Sequence, residues 1–474
     1  MAQSISKPIR LLFVLRLLSS FPFAVFYSSA VLLLTDKLQI QWQQATSIMG
    51  SFLALNYALS IAGGYLADRF ISYRALLLYS IIFQAIGILF ITAHSFTFSM
   101  CFLAIFLGGS LGSTVSINLL LTQYFSPNDV AREKAFFSNY CAMNISYFIG
   151  YLLSGWLIFR VHMPHMLILA TIGILACAVL IWLLKFKQLR NVRTCSIQNW
   201  TIQTKIINNL SGFFIIFVCV VVSFIALEYA KWTNILIIAC LIVVLSWISC
   251  IAIVSQESRH KYLSFIIYYL NSVFFWAVYL LTPLALILFI RHFVNLNFAG
   301  IQMAPQWVQN INAIIIIFGT ALMAYLFRFS KIKALFSLPR FFIFATLLMG
   351  MGFLLLYLSC LFSRHDVNMG WIIGSYICQS LGELFIGPVG YAMVGRIIPE
   401  KHHGIFSGIW VLNLGVASAI SAMLSRYMLP SAHVDIDSFK QGFLLVFIAC
   451  MCIVLLLLIV RPYLNRVHPG IGTE

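Results

Sequence analysis

Apolar runs of about twenty residues or more follow one another along this chain, separated by short polar clusters rich in Lys and Arg. A helix rises 1.5 Å per residue, so about 20 apolar residues carry it across ~30 Å of hydrocarbon. The pattern predicts fourteen membrane-crossing helices, near 11–34, 45–67, 75–94, 98–123, 135–159, 164–184, 207–227, 232–254, 263–290, 306–327, 337–361, 368–393, 404–427 and 440–460. No series of ten-residue segments alternates with period two, which excludes an outer-membrane barrel. The expected fold class is an all-α membrane protein.

Composition points the same way. The chain is 62% hydrophobic and 9% charged, with a mean hydropathy of +1.00. A soluble domain of 474 residues could not hide that much apolar surface. The net charge of +17 would suggest a nucleic-acid partner if it were spread over one face. Instead the basic residues alternate between dense and sparse clusters. With the first residues inside, the inner loops and ends hold Lys7, Arg10, Arg69, Arg74, Arg132, Lys134, Lys185, Lys187, Arg190, Arg193, Lys205, Arg259, Lys261, Arg328, Lys331, Lys333, Arg340, Arg396, Lys401, Arg461 and Arg466. The outer loops hold only Lys37, Arg160, Lys231, Arg291, Arg364, Arg426 and Lys440. That asymmetry predicts cytoplasmic termini. It assigns the positive excess to topology and anionic lipids, with no nucleic-acid partner. The eleven Cys are scattered without a CxxC or Cys/His cluster, so no metal, cofactor or disulfide framework is expected.

Six spans precede the basic stretch KFKQLRNVRT at 185–194, two nearly polar-free spans follow, and six more complete the chain. The expected domains are a six-helix bundle at 1–194, a two-helix insertion at 195–260 and a second six-helix bundle at 261–474. The insertion is expected to face lipid outside the working bundles, and the two bundles to rock about a midplane site.

Two ionisable residues lie inside apolar runs. Glu383 is the only acid so placed, in WIIGSYICQSLGELFIGPVGYAMVG, and Arg16 is the only Lys or Arg deep within a span. A charge in hydrocarbon costs several kcal/mol unless it is paired, hydrated or neutralised, so each is a candidate for a transport site or its scaffold. Between the second and third spans, GGYLADRFISYR places Asp68, Arg69 and Arg74 together as a candidate cytoplasmic gate; an ordinary helix-end charge cluster is the alternative.

GGYLADRFISYR (63–74) is similar to the second-to-third helix loop motif of the major facilitator superfamily, with Ser72 in place of the usual glycine. GELFIGPVGYAMVGRIIPEKHHGIFSGIWVLNLG (382–415) resembles the tenth- and eleventh-helix signature of its proton-dependent oligopeptide transporter family. FFWAVYLLTPLALILF (274–289), PQWVQNINAIII (305–316) and DVAREKAFFSNYCAMNISYFIG (129–150) resemble that family's seventh, eighth and fifth helices. The resemblance implies a facilitator fold, two six-helix bundles plus two extra central helices, and proton-coupled peptide uptake.

The departures fall at one end of the family's pocket. Leu12 and Leu15 stand where the first-helix glutamates belong, leaving Arg16 without its family partners. Ser19 and Ser20 replace the tyrosine pair. Phe23 and Gly112 stand at positions whose basic residues hold the peptide carboxylate, and Leu280 replaces the seventh-helix glutamate. At the other end Asn144, Asn312 and Glu383 match the residues that surround the peptide amine, with Tyr57, Trp276 and Trp410 as aromatic walls. A carboxylate with two amides suits an ammonium group, and aromatic faces add cation–π attraction. The bland alternatives are a structural carboxylate, amides that join helices, and aromatic packing.

The expectation is a monomeric secondary transporter in a bacterial inner membrane, moving a small amine-bearing or peptide-like solute. Its partners are that solute, protons and membrane lipids. Glu383 is the bet for solute and proton, while Arg16, Asp68, Arg69 and Arg74 serve gating or structure. With one acid left, competition between proton and cation favours exchange, whereas symport needs both bound together. Rival readings are a di- or tripeptide symporter, an importer of another metabolite such as a siderophore, and a ligand sensor without turnover. No nucleophile–base pair or phosphate loop suggests an enzyme.

Overall fold

The computed structural model describes residues 7–91, 95–122, 130–160, 171–177, 179, 202–255, 258–298, 300–326, 337–363, 366–399, 402–429 and 435–467. Among them are fourteen α-helices: α1 (Lys7–Asp36), α2 (Trp42–Arg69), α3 (Tyr73–Leu89), α4 (Phe96–Thr122), α5 (Val130–Arg160), α6 (Ile202–Glu228), α7 (Ala230–Val254), α8 (Arg259–Tyr279), α9 (Ile287–Phe293), α10 (Asn310–Leu326), α11 (Leu338–Phe362), α12 (Met369–Ile397), α13 (His403–Met428) and α14 (Ile436–Val467). Ten segments of the described residues are long and apolar enough to cross a bilayer. The expected span at 164–184 falls largely outside the described residues, as does the basic stretch at 185–194. The only strands among them are the two-residue pair β1 (Asn297–Phe298) and β2 (Ile301–Gln302), an antiparallel hairpin before α10.

Local chemistry sets the helix ends. The Ser72 hydroxyl accepts from the Ala75 amide at 3.4 Å and starts α3, and the Asn368 side chain accepts from the Gly370 amide at 2.7 Å and starts α12. α1 runs on through Pro22. The expected span at 263–290 is one apolar column with a break in it. α8 ends at Tyr279, a π-helical turn occupies Thr282–Leu286 around Pro283, and α9 continues. Proline lacks the amide a regular ladder needs, and the wider turn absorbs that loss.

The chain divides into two compact units, one of residues 1–39 and 55–229, the other of 40–54 and 230–474. In the first, α1 packs on α5, and α3 and α6 pack on α4. Glycine lets these helices approach closely: a Cβ on Gly63 would lie 1.9 Å from the Leu111 carbonyl oxygen, and one on Gly109 2.5 Å from the Ser80 carbonyl oxygen. In the second, α11 packs on α12 and α14, α8 on α13, and α10 on α12.

The two central helices mostly face outward. Only 22% of the apolar window of α6 and 11% of that of α7 is buried, against 83% for Arg259–Phe293. That matches lipid-facing helices, with one departure from the sequence reading. Asn234 of α7 is 2% exposed, accepts from the Ser51 hydroxyl at 3.1 Å and donates to the Ser47 carbonyl at 3.0 Å. An amide in hydrocarbon needs partners, and α7 finds them on the first half of α2.

Candidate functional site

In the second unit, Glu383 lies midway along α12 and keeps part of its surface accessible. The Asn312 amide of α10 donates to its Oε2 at 2.6 Å and to the Ser380 hydroxyl at 3.2 Å. The Tyr279 side chain, at the last residue of α8, neighbours the carboxylate. No Lys, Arg or His among the described residues pairs with it. Trp276 packs edge-on against Tyr279, ring centroids 5.3 Å apart, and shares its partial exposure. Of the sequence candidates, Asn312 and Glu383 are thus bonded to each other, and Trp276 packs on Tyr279 beside them.

Trp410 is only 4% exposed and packs edge-on against Phe265 and Tyr269 of α8, both at 6.3 Å, inside the same unit. In the first unit, Asn144 is 5% exposed and donates to the Tyr140 carbonyl of its own helix at 3.0 Å. Tyr57 is half-buried on α2, and its carbonyl accepts from Ser60 at 2.6 Å. The gate candidates lie at the α2–α3 turn. The Tyr73 hydroxyl donates to Asp68 at 3.4 Å, the Arg69 guanidinium lies 5.6 Å over the Tyr65 ring, and Arg74 is half-buried.

Arg16 has a distinctive setting. It is 7% exposed, and its two terminal nitrogens donate to the Thr114 hydroxyl at 2.9 Å and the Met143 thioether at 3.0 Å. Tyr147, one turn beyond Met143 on α5, faces the same guanidinium. The Nε has no partner, and no carboxylate among the described residues pairs with the charge. Gly112 presents itself to α3: a Cβ there would lie 2.5 Å from Ser80 Oγ and 2.7 Å from Leu76. Polar groups of α4 reach α1 from Thr114 instead.

Sequence reasoning missed Tyr279, Ser380, Thr114 and Met143, residue types too common in spans to stand out. It also passed over the turn that opens α10. Gln306 and Gln309, in a 3₁₀ turn at Pro305–Gln309, and Asn310 are 0%, 2% and 7% exposed with amide atoms that no described residue bonds.

Long apolar helices with amide and ionisable side chains held inside them are those of a polytopic membrane protein. The POT family model matches residues 73–442, and the chain belongs to that transporter family. A curated relative, the dipeptide and tripeptide permease A of Chromobacterium violaceum, is 24% identical, with 97% of this chain and 94% of the relative covered. A peptide transporter POT solved in complex with sulfate aligns with a TM-score of 0.86 at 21% identity, over 99% of this chain and 97% of that one. A POT family transporter solved with 5-aminolevulinic acid aligns at 0.83 and 20%, over 98% of each chain. The facilitator fold expected from the sequence is the fold found.

Proposed function

We propose that this protein moves a small amine-bearing or peptide-like solute across a bacterial inner membrane, coupled to protons through Glu383. The observation that carries this reading is the setting of that carboxylate. It keeps part of its surface accessible, takes a bond from the Asn312 amide, and pairs with no cation among the described residues. A carboxylate offers about four acceptor positions, so three remain for an ammonium group. Trp276 beside Tyr279 supplies an aromatic face for a cation. Asn144, Tyr57 and Trp410 complete the proposed solute contacts. Asp68, Arg69 and Arg74 are the proposed gate.

Arg16 favours a second, narrower reading: a di- or tripeptide, or another solute with an acid as well as an amine. Among the described residues the buried guanidinium has a hydroxyl and a thioether as bonded partners and no counter-charge, and a solute carboxylate would supply one. The similar proteins solved or named with peptide or amino-acid ligands agree with this reading.

A thermal-shift panel separates the two readings, because a ligand that binds only the folded state raises its melting temperature. Dipeptides, their C-terminal amides, their N-acetyl forms and simple amines would be compared. Amides and amines acting as strongly as free dipeptides identify an amine site alone. Stabilisation by free dipeptides only identifies the peptide reading. Stabilisation by N-acetyl forms but by no amine overturns the assignment of Glu383.

A further inference from the structure

Four aromatic rings of α1 and α5 form a two-by-two array in the first unit. Phe23 and Tyr27 lie one turn apart on α1 and stack with centroids 5.7 Å apart. Tyr147 and Tyr151 repeat that spacing on α5, at 5.9 Å. Across the seam Phe23 stacks on Tyr147 at 6.1 Å and Tyr27 on Tyr151 at 6.3 Å. The seam is held on both sides of the rings. The Ser146 hydroxyl donates to the Leu17 carbonyl at 2.6 Å, and the Ser28 and Ser154 hydroxyls bond each other at 2.9 Å. Between these bonds a Cβ on Gly150 would lie 2.7 Å from the Ala24 Cβ, so the two helices touch beside the array. Tyr151 is buried, whereas Phe23, Tyr27 and Tyr147 keep part of their surface accessible. At about 100° per residue, Arg16, Phe23 and Tyr27 share one side of α1, and Met143, Tyr147 and Tyr151 share one side of α5. The exposed apolar residues Val14, Leu152 and Trp156 lie on the opposite sides of those helices.

We propose that this array is a subsite for an aromatic group of the solute, two turns along α1 from the Arg16 guanidinium that takes the solute's acid. The proposal rests on the second reading above, in which the solute carries a carboxylate. The guanidinium is 7% exposed and donates to Thr114 and Met143, and its buried Nε is bonded by no described residue. Met143, which receives one of those bonds, is one turn from Tyr147 on the same side of α5, a rise of about 6 Å. An acid at the guanidinium and a ring on the array therefore fit one small molecule. Rings pinned in one arrangement offer a planar face without first having to be ordered, and ring–ring contact adds attraction beyond buried area. An aliphatic group gains burial there and nothing more.

The test is titration calorimetry on the purified full-length protein, wild type and Phe23→Leu. One series is alanyl-alanine, alanyl-leucine and alanyl-phenylalanine. The other is propionate, pentanoate and phenylpropionate, which carry the acid and no amine. In wild type the phenyl member of a series is expected to bind roughly tenfold more tightly than its aliphatic members. Phe23→Leu keeps an apolar side chain and removes the ring, so that ratio should fall to about twofold or less. Should this variant fail to fold, Tyr27→Leu takes its place. Equal binding of phenyl and aliphatic members by wild type overturns the subsite, and so does a tenfold ratio that survives in the variant. The two series keep this failure apart from failure of the reading beneath it. Dipeptides that bind without preference for a ring remove the subsite and leave a solute with both acid and amine. Preferred binding of phenylpropionate with no binding of any dipeptide keeps the subsite and removes the peptide reading. Absence of binding in both series removes both.

Discussion

At the scale of single residues, two charges share one physical problem and meet it differently. Glu383 has the Asn312 amide as a neutral donor and acceptor positions to spare, and Arg16 has neutral partners and an Nε that no described residue bonds. Glu383→Gln keeps the shape and removes the charge, so amine-induced stabilisation should disappear while the unliganded melting temperature stays within a few degrees. Thermal shift with glycinamide checks this, and retained stabilisation would remove Glu383 from the site. Arg16→Lys should weaken free-dipeptide binding by roughly tenfold or more, because a point charge cannot replace the planar fork between Thr114 and Met143. Titration calorimetry reads that loss, and unchanged affinity would make Arg16 structural. At Gln306 an amide sits at 0% exposure without a bonded partner among the described residues. An unsatisfied buried amide costs about 1–3 kcal/mol, so Gln306→Leu should raise the melting temperature. A lower melting temperature would show that the amide has a bonded partner in the membrane. Glu383 and Arg16 stood out in the sequence because charges are rare symbols inside apolar runs, and Asn312 because it matches a position of the family's pocket. Tyr279 was not, since the chain has twenty tyrosines and only a contact between α8 and α12 marks this one.

At the scale of helices, small residues decide how closely the bundle closes. Gly63 and Gly64 are neighbours on α2 with opposite surroundings: a Cβ on Gly63 would strike the Leu111 backbone, while one on Gly64 meets nothing within 4 Å. Gly63→Ala must push α2 off α4 and should cost about 1–3 kcal/mol or more. Gly64→Ala should stabilise by about 0.5–1 kcal/mol, since alanine loses less backbone freedom in a helix. Thermal unfolding of both variants checks the pair, and equal effects would place the α2–α4 contact elsewhere. Nothing in GGYLAD distinguishes the two glycines, because facing depends on the rotation of α2 against α4. The helices themselves were legible, since hydrocarbon demands long apolar runs wherever a chain crosses it. The break at Thr282–Leu286 was only hinted at by Pro283. Asn234 was read as part of a nearly polar-free insertion because a single amide in a mostly apolar helix of 25 residues carries no weight until Ser47 and Ser51 are seen to bond it.

For the whole molecule, orientation is the property that the loop charges decide. Dense Lys and Arg clusters follow every second span, and translocating them is disfavoured, so those loops and both ends are expected in the cytoplasm. The α6–α7 insertion adds two crossings, an even number, so it leaves the orientation of every later helix unchanged. The expected outcome is that a fluorescent protein fused after residue 474 lights up in bacterial cells, whereas alkaline phosphatase fused there is inactive. Phosphatase inserted in the segment between α11 and α12, which carries Arg364 alone, should be active. Removing residues 202–254 should keep the C-terminal reporter in the cytoplasm. It should also lower the melting temperature, because Ser47 and Ser51 lose the Asn234 amide and α4 loses the helix packed on it. Removing α7 alone should scramble the reporter, since the later basic clusters would then oppose the crossing order set by the earlier ones. An active phosphatase at the end of the full-length chain would invert the assignment.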